Sequence, residues 1–252
     1  MKGVSEKSII VTGGADGIGA ATARLLASLG ARVTIADVNE DKGIETTQGI
    51  KSEGGQAQFV RTDIADEASV KAMVAAAVST YGRLDGAFNN AAIPNTGKRL
   101  HEVSFAEWQR CHSINLSGTF LCLKYEIEQM LKSGGGAIVN TSSTAGLVYV
   151  PLTAEYSASK HGVSGLTKAA ASDYGHDNIR VNAIAPAAVR TAMYARFAAT
   201  NPQFEEQCAA LHPIGRASAP TEQAEAVAWL LSDAASFVTG IIMPVDGGYT
   251  AV

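Results

Sequence analysis

Residues 8 to 21 read SIIVTGGADGIGAA. A β-branched run, Ser8 to Thr12, empties at once into a glycine-rich turn, and the turn runs into small and apolar residues with helical spacing from about Ile18 to Leu29. The unit is strand, turn, helix. Gly13, Gly17 and Gly19 follow a GxxxGxG spacing rather than GxGxxG, because Thr22 stands where the last glycine of that pattern would fall. Glycines let a backbone come close to a pyrophosphate, and the helix that follows offers free N–H groups and the positive end of its dipole. A tight turn needing positive φ would use the same residues. Both readings stand on this stretch alone.

Outward from it, the alternation continues. SIIVT, ARVTIA, AQFV, LDGAF, GAIVNT, IRVNAIA and IIMPV are the strand candidates. Helical segments are expected at about Ile18 to Leu29, Glu40 to Ser52, Glu67 to Thr80, Phe105 to Leu131, Ala154 to Tyr174 and Thr221 to Leu231. Alternating β and α elements require parallel strands joined by right-handed crossovers, so the fold class is α/β: one doubly wound parallel sheet of about seven strands, helices on both faces. No linker, repeat or composition break divides residues 1–252. Ser104 and Glu107 have capping-box spacing and start the long segment carrying Cys111, Asn115 and Phe120. That segment and the one at 154–174 are apolar on more than one face, which points to a subunit interface.

Hydrophobic residues make up 46% and charged ones 17% of the 252, a balance suited to a compact enzyme-like globule. Net charge is −4 with no basic block, which argues against a nucleic-acid partner. Cys111, Cys122 and Cys208 are too few and too irregular for a disulfide framework, and His101, His112, His161, His176 and His212 have no metal-ligand spacing. No metal is expected. Neither a signal peptide nor an apolar run of ~18 to 20 residues is present, so a cytoplasmic protein without a membrane partner is expected.

The second strand candidate ends at Asp37, eighteen positions after Gly19. An acid there can accept hydrogen bonds from both ribose hydroxyls of an adenosine and would repel a 2′-phosphate by ~4 kcal/mol per charge pair at ~4 Å and an effective dielectric near 20. NAD is the cofactor this favours. Asp16 strengthens the choice, since a basic residue in that loop would be the natural partner for the extra phosphate. Alternatively, Asp37 caps the helix that begins near Glu40. Asp63 could reach an adenine amino group, and Asn89 to Ala92 could lie along the cofactor; both also fit strand-end turn chemistry.

In AEYSASKHG, residues 154–162, Tyr156 and Lys160 share one helix face. Read alone, the pair is either a solvated surface or a working site. With TGGADGIG at residues 12–19, Asp37, Asp63–Ile64, NNAA from Asn89, Asn115, Ser142–Ser143, YSASK from Tyr156 and the closing DGG from Asp246, residues 5 to 250 resemble the short-chain dehydrogenase/reductase family. The resemblance implies a Rossmann-type fold and a catalytic tetrad of Asn115, Ser143, Tyr156 and Lys160; the family's serine lies thirteen residues before its tyrosine, which selects Ser143 over Ser142. It also implies cofactor contacts from Gly13, Asp16, Gly17, Ile18, Gly19, Asp37, Asp63, Ile64, Asn89, Ala91, Tyr156, Lys160, Pro186, Val189 and Thr191, and a homotetramer. Where the family has Pro-Gly this chain has Pro186-Ala187, which puts a sharp turn requiring glycine in doubt.

Oxidising an alcohol requires its proton to leave with the hydride, and a phenol takes that proton only as phenolate. A free tyrosine has a pKa near 10, so work near neutrality asks for a drop of about 2 to 3 units, which one positive charge at ~4 to 5 Å supplies. Lys160 is the expected source, with oxidised nicotinamide adding to it, while Ser143 hydrogen-bonds the reacting oxygen and Asn115 positions a relay water. Residues 190–215 fall where the family has a substrate lid; Met193, Tyr194, Phe197 and Leu211, with Leu147, Tyr149 and Val150 near the serine, would line an apolar pocket for a neutral alcohol or ketone, alicyclic, aromatic or steroid-like. The same side chains could simply pack lid on core. The substrate-binding set is thus Ser143, Leu147, Tyr149, Tyr156, Met193, Tyr194 and Phe197. The expected activity is an NAD-dependent alcohol dehydrogenase or carbonyl reductase acting on a small molecule. A 3-oxoacyl carrier-protein reductase and a non-catalytic NAD(H)-binding sensor are the alternatives.

Overall fold

A computed structural model describes residues 3–251, apart from the side chains of Met193, Phe197 and Thr200. The strands are β1 (Ser8–Thr12), β2 (Arg32–Asp37), β3 (Gln56–Arg61), β4 (Gly86–Asn89), β5 (Gly136–Thr141), β6 (Ile179–Pro186) and β7 (Ile242–Val245). They pair in parallel in the order β3-β2-β1-β4-β5-β6-β7. Connections from β1 run toward one edge and those from β4 toward the other, so the sheet is doubly wound about the β1–β4 pair, where a crevice opens at the carboxyl ends.

The strand period of two distributes the core. Ile9 and Val11 of β1, Phe88 of β4 and Val139 of β5 face one side, with α1 (Gly17–Ser28) and α9 (Pro220–Leu231) over them. Ile10, Ala87 and Ile138 face the other, covered by α3 (Glu67–Tyr81), α5 (Thr119–Ser133) and α6 (Ala154–Tyr174). A sheet covered on both faces buries apolar residues at every position, hence the continuous runs SIIVT and IRVNAIA. Among the described residues no helix is long and apolar enough to cross a membrane.

Two local signals are realised in detail. Ser104 caps α4 (Phe105–His112) reciprocally with Glu107, as the spacing predicts. Helix α2 (Glu40–Ser52), however, is capped by Asn39, whose side chain accepts from Lys42 N at 3.2 Å. Capping therefore does not occupy Asp37.

The single helix expected from Phe105 to Leu131 is interrupted. α4 ends at His112, Ser113–Gly118 forms wider π turns, and α5 resumes at Thr119. Helical periodicity alone carries no sign of one extra residue per turn. The cause is tertiary: Asn115 is drawn inward to the backbone of Ile93, and at Gly118 a Cβ would lie 2.7 Å from Ile64 Cδ1.

A polar cluster lies inside the second core. The Asn89 side-chain amide donates to Glu126 Oε2 at 2.9 Å and to Asn140 Oδ1 at 3.1 Å, and Asn140 donates to Thr167 Oγ1 at 3.0 Å. Glu126 is fully buried, and its Oε1 and the Asn89 Oδ1 both lack a partner. A proton on the carboxyl is what would serve both orphans, joining acid to amide by two hydrogen bonds. Burial pushes Glu126 up to about 7, against the pull of the Asn89 hydrogen bond. The folded chain then binds this proton more tightly than the unfolded one. Stability from Glu126 is full below about pH 4.5 and is lost as pH rises through about 7. Urea denaturation from pH 5 to 8.5 should show this fall, amounting to roughly 2 to 3 kcal/mol, and Glu126→Gln, whose amide can make both bonds at any pH, should flatten it. An unchanged slope in the variant would contradict a protonated Glu126.

Candidate active site

The glycine turn fills the gap between β1 and α1 with no room to spare. At Gly13 a Cβ would come 2.9 Å from Ala91 Cα, and at Gly19 it would overlap the Gly13 carbonyl oxygen at 2.0 Å. Gly17 has φ +56° and sits against Thr191, whose Cγ2 would be 3.1 Å from a Cβ. Asp16 caps α1 by accepting from Gly17 N at 2.7 Å, and no acid follows in the first turn, so the remaining N–H groups face the crevice uncountered. Lys42 forms an ion pair with Asp16.

At the end of β2, Asp37 accepts from Ala15 N at 3.1 Å through one oxygen and from Asn39 N at 2.9 Å through the other. Both bonds hold the carboxylate at the mouth of a cavity of about 530 Å³ that continues past the glycine turn to Ser143, Tyr156 and Lys160. Each oxygen keeps acceptor capacity for a further donor such as a hydroxyl.

β5 and α6 bring the reactive side chains together. Beyond β5, Ser143 caps a short 3₁₀ turn, Thr144–Gly146, its hydroxyl accepting from Ala145 N at 3.2 Å. The turn packs so tightly on α6 that a Cβ at Gly146 would lie 2.8 Å from the Lys160 carbonyl oxygen. Ser142 is committed elsewhere: its hydroxyl donates to that carbonyl at 3.2 Å and lies 2.8 Å from Ser164 Oγ. Ser143 is the serine near enough to Tyr156 to pull its pKa down. Lys160 is buried, with Nζ 5.5 Å from the centre of the Tyr156 ring and donating to Thr141 O at 2.7 Å.

The ammonium does not by itself bring the phenol toward neutrality: burial pushes Tyr156 up to about 12, outweighing the Ser143 hydrogen bond, and pushes Lys160 down to about 8. Lys160 is buried and Tyr156 half-buried, and the loss of water from the charged form is the leading cause of both shifts. The phenol rests protonated, as a donor.

Asn115 does not reach into the cavity as a free amide. Its Oδ1 accepts from Ile93 N at 2.8 Å and its Nδ2 donates to Ile93 O at 3.0 Å, so the side chain clamps the segment that lines the cavity beyond β4. Ala91 lines the cavity, but Asn89 points into the interior toward Glu126; Asn90 takes the expected place, its amide donating to Thr12 O and Gly13 O, each at 3.3 Å. The alternation Ala87, Asn89 against Phe88, Asn90 carried that information. Asp63 is exposed beyond β3, accepting from Ala65 N at 2.9 Å, while Ile64 is buried under Gly118; neither lines the cavity.

On the far wall, Pro186, Val189 and Thr191 line the cavity. Ala187 stays out of the left-handed region, so this turn does not require glycine. Beyond it run α7 (Ala192–Thr200) and α8 (Phe204–Leu211). Tyr194 is buried at the cavity wall, its ring centre 4.9 Å from that of Phe204. The side chains of Met193 and Phe197, assigned to the substrate from sequence, lie outside the described residues. Leu147 and the 81%-exposed Tyr149 line a neighbouring cavity of about 550 Å³, so they do not join this wall. Arg196 and Phe204 do, though neither was assigned a role from sequence.

The glycine cradle, the uncountered helix start and the Asp37 carboxylate fit an anionic dinucleotide with a free ribose diol. Tyr156, Ser143 and Lys160 at the other end of the same cavity fit proton transfer at an alcohol or carbonyl oxygen.

Comparison with known proteins agrees. The family model described as enoyl-(acyl carrier protein) reductase matches residues 13–250. The chain is 51% identical over 253 residues to a 2,5-dichloro-2,5-cyclohexadiene-1,4-diol dehydrogenase of Sphingobium indicum, with 100% of both chains covered. It is 46% identical over 248 residues to a cis-4-hydroxycyclohexanecarboxylate dehydrogenase of Sinomonas cyclohexanicum, covering 98% of each. A solved structure of a short-chain type dehydrogenase/reductase from Mycobacterium ulcerans matches with TM-score 0.95 at 31% identity, over 100% of this chain and 92% of that one. With its parallel doubly wound sheet, glycine turn and Tyr156–Lys160 helix, the chain is an oxidoreductase and belongs to the short-chain dehydrogenase/reductase family.

Proposed function

We propose that this protein is an NAD-dependent dehydrogenase that interconverts an alicyclic secondary alcohol and its ketone. The observation that carries the reading is that one cavity holds both Asp37, at the nucleotide end, and the Tyr156–Ser143–Lys160 cluster. The ring-alcohol names of the relatives in Sphingobium indicum and Sinomonas cyclohexanicum support the substrate class.

A bound nicotinamide supplies the hydride acceptor or donor and, when oxidised, a positive charge. The chain's own part is proton transfer and positioning. Ser143, on the same cavity wall as Tyr156, turns its hydroxyl to the substrate oxygen and fixes that oxygen beside the phenol. In ketone reduction the Tyr156 phenol, held protonated by burial, gives its proton to the oxygen as negative charge develops there. In alcohol oxidation the phenolate takes the hydroxyl proton, and Lys160 stabilises that phenolate. Asn115, by clamping Ile93, holds the wall against which the substrate ring rests. Asp37 accepts from the ribose hydroxyls and repels a 2′-phosphate. Residues 190–215 act as the lid, with Tyr194 and Phe204 as its apolar inner face. A homotetramer in the cytoplasm is part of the same reading.

Tyr156→Phe should lower kcat by at least about 10³-fold, while NADH binding, followed by fluorescence, persists; turnover retained in the variant would remove the proton-transfer role. Because the phenol rests protonated, wild-type ketone reduction should be flat between pH 6 and 8 while alcohol oxidation climbs with pH, measured as kcat/KM in both directions. Asp37→Ala should narrow the preference for NAD over NADP by about 10-fold or more in kcat/KM. An unchanged ratio would take Asp37 off the ribose. A turnover screen of cyclohexanols, open-chain alcohols, sugars, steroids and acyl thioesters with both cofactors tests the substrate class, and activity confined to acyl thioesters would overturn it.

A further inference from the structure

The charges around the nucleotide end of the cavity do not balance as an anionic ligand would require. Its lining holds two carboxylates, Asp16 and Asp37, and two cations, Lys160 and Arg196. Lys160 is buried at the far end and bonded to Thr141 O, within the catalytic cluster. Lys42, the other cation near the glycine turn, is paired with Asp16. That leaves Arg196. It is exposed, it lines the cavity, and among the described residues no hydrogen bond or ion pair engages its guanidinium.

Its position follows from the chain path. Thr191 touches the glycine turn through Gly17, and α7 starts one residue later, with Tyr194 N donating to Thr191 Oγ1 at 3.4 Å. Five residues of helix carry the Arg196 backbone about 7.5 Å from that contact. An arginine side chain spans a comparable length, so its guanidinium can return over the start of α1. Arg196 is close enough for its charge to act on the Asp16 carboxyl, which Lys42 chiefly, with Gly17 N and Arg196, holds below its usual range against the effect of burial. Asp16 itself is already neutralised by Lys42, so this cation has no anion of its own.

We propose that Arg196 binds the diphosphate of the dinucleotide from the lid side, opposite the N–H groups of α1. A guanidinium presents paired N–H groups to phosphate oxygens, and a diphosphate supplies the negative charge that Arg196 lacks, Asp16 being paired with Lys42 and Asp37 bonded to backbone amides. The inference rests on the proposed dinucleotide cofactor and adds to it a second anchor for the diphosphate.

The test is ligand binding rather than turnover. Wild type and Arg196→Gln are titrated calorimetrically with ADP-ribose, which has the diphosphate, and with adenosine, which lacks it; NADH is followed by fluorescence. The expected result is a roughly 3- to 10-fold weaker Kd for ADP-ribose and NADH in the variant, unchanged adenosine affinity, and partial recovery in Arg196→Lys. Equal effects on adenosine and ADP-ribose, or no effect on either, would overturn the proposal while leaving the cofactor reading intact. A variant that raises only the KM of the alcohol would put this charge on the substrate and overturn it too. Failure of wild type itself to bind NADH and ADP-ribose would sink the cofactor reading and this inference with it.

Discussion

The structure depends on the point where the sheet changes winding direction. Connections leave β1 toward β2 and leave β4 toward β5, so the loops after these two adjacent parallel strands diverge and cannot close over each other. The crevice between them is a consequence of connectivity. The residues found there follow from it: the glycine turn after β1, Asn90 and Ala91 after β4, Asp37 one strand away, and Ser143 after β5. Side chains far apart in the chain meet because every strand of the sheet runs the same way and presents its carboxyl end at one edge.

Within that crevice the electrostatics are graded. At the nucleotide end the two carboxylates are compensated locally, Asp37 by backbone amides and Asp16 by Lys42 and the start of α1. At the catalytic end, burial governs instead. Tyr156 rises to about 12 and Lys160 falls to about 8 because neither ion is solvated, so the resting site is a proton donor. The same principle operates in the core at Glu126, where removal from water holds the carboxyl as an acid against the pull of the Asn89 hydrogen bond. Asn89, which anchors that acid, directly precedes Asn90, which shapes the glycine turn. The interior polar cluster and the cofactor wall are thus two faces of one strand end.

The sequence-based elements fail where a contact distant in the chain overrides local pattern. The segment from Phe105 reads as unbroken helix because its residues are good helix formers with apolar spacing, yet Ile93 and Ile64 pull Asn115 and Gly118 inward and open π turns between α4 and α5. Asp37 and Asn39 are both competent caps, and only the path of the chain between β2 and α2 assigns the role to Asn39. Leu147 and Tyr149 lie four and six residues from Ser143, but the 3₁₀ turn at Thr144–Gly146 sends them to a different cavity. Proximity along the chain is a poor guide across a tight turn.

By itself the amino-acid order determined the alternation of strands and helices, the parallel sheet, the glycine turn, the acid at the end of β2 and the identity of the Tyr156–Lys160 pair. These depend on spacing within one element or across one turn, where backbone periodicity sets which side chains share a face. Only the tertiary structure decided which asparagine faces the cofactor wall, how Asn115 is used, what the buried pair does to its own protonation, and that Arg196 is left as an uncompensated cation over the glycine turn. Each of these is a matter of dielectric and distance between groups from separate elements, and neither quantity exists until the elements have packed.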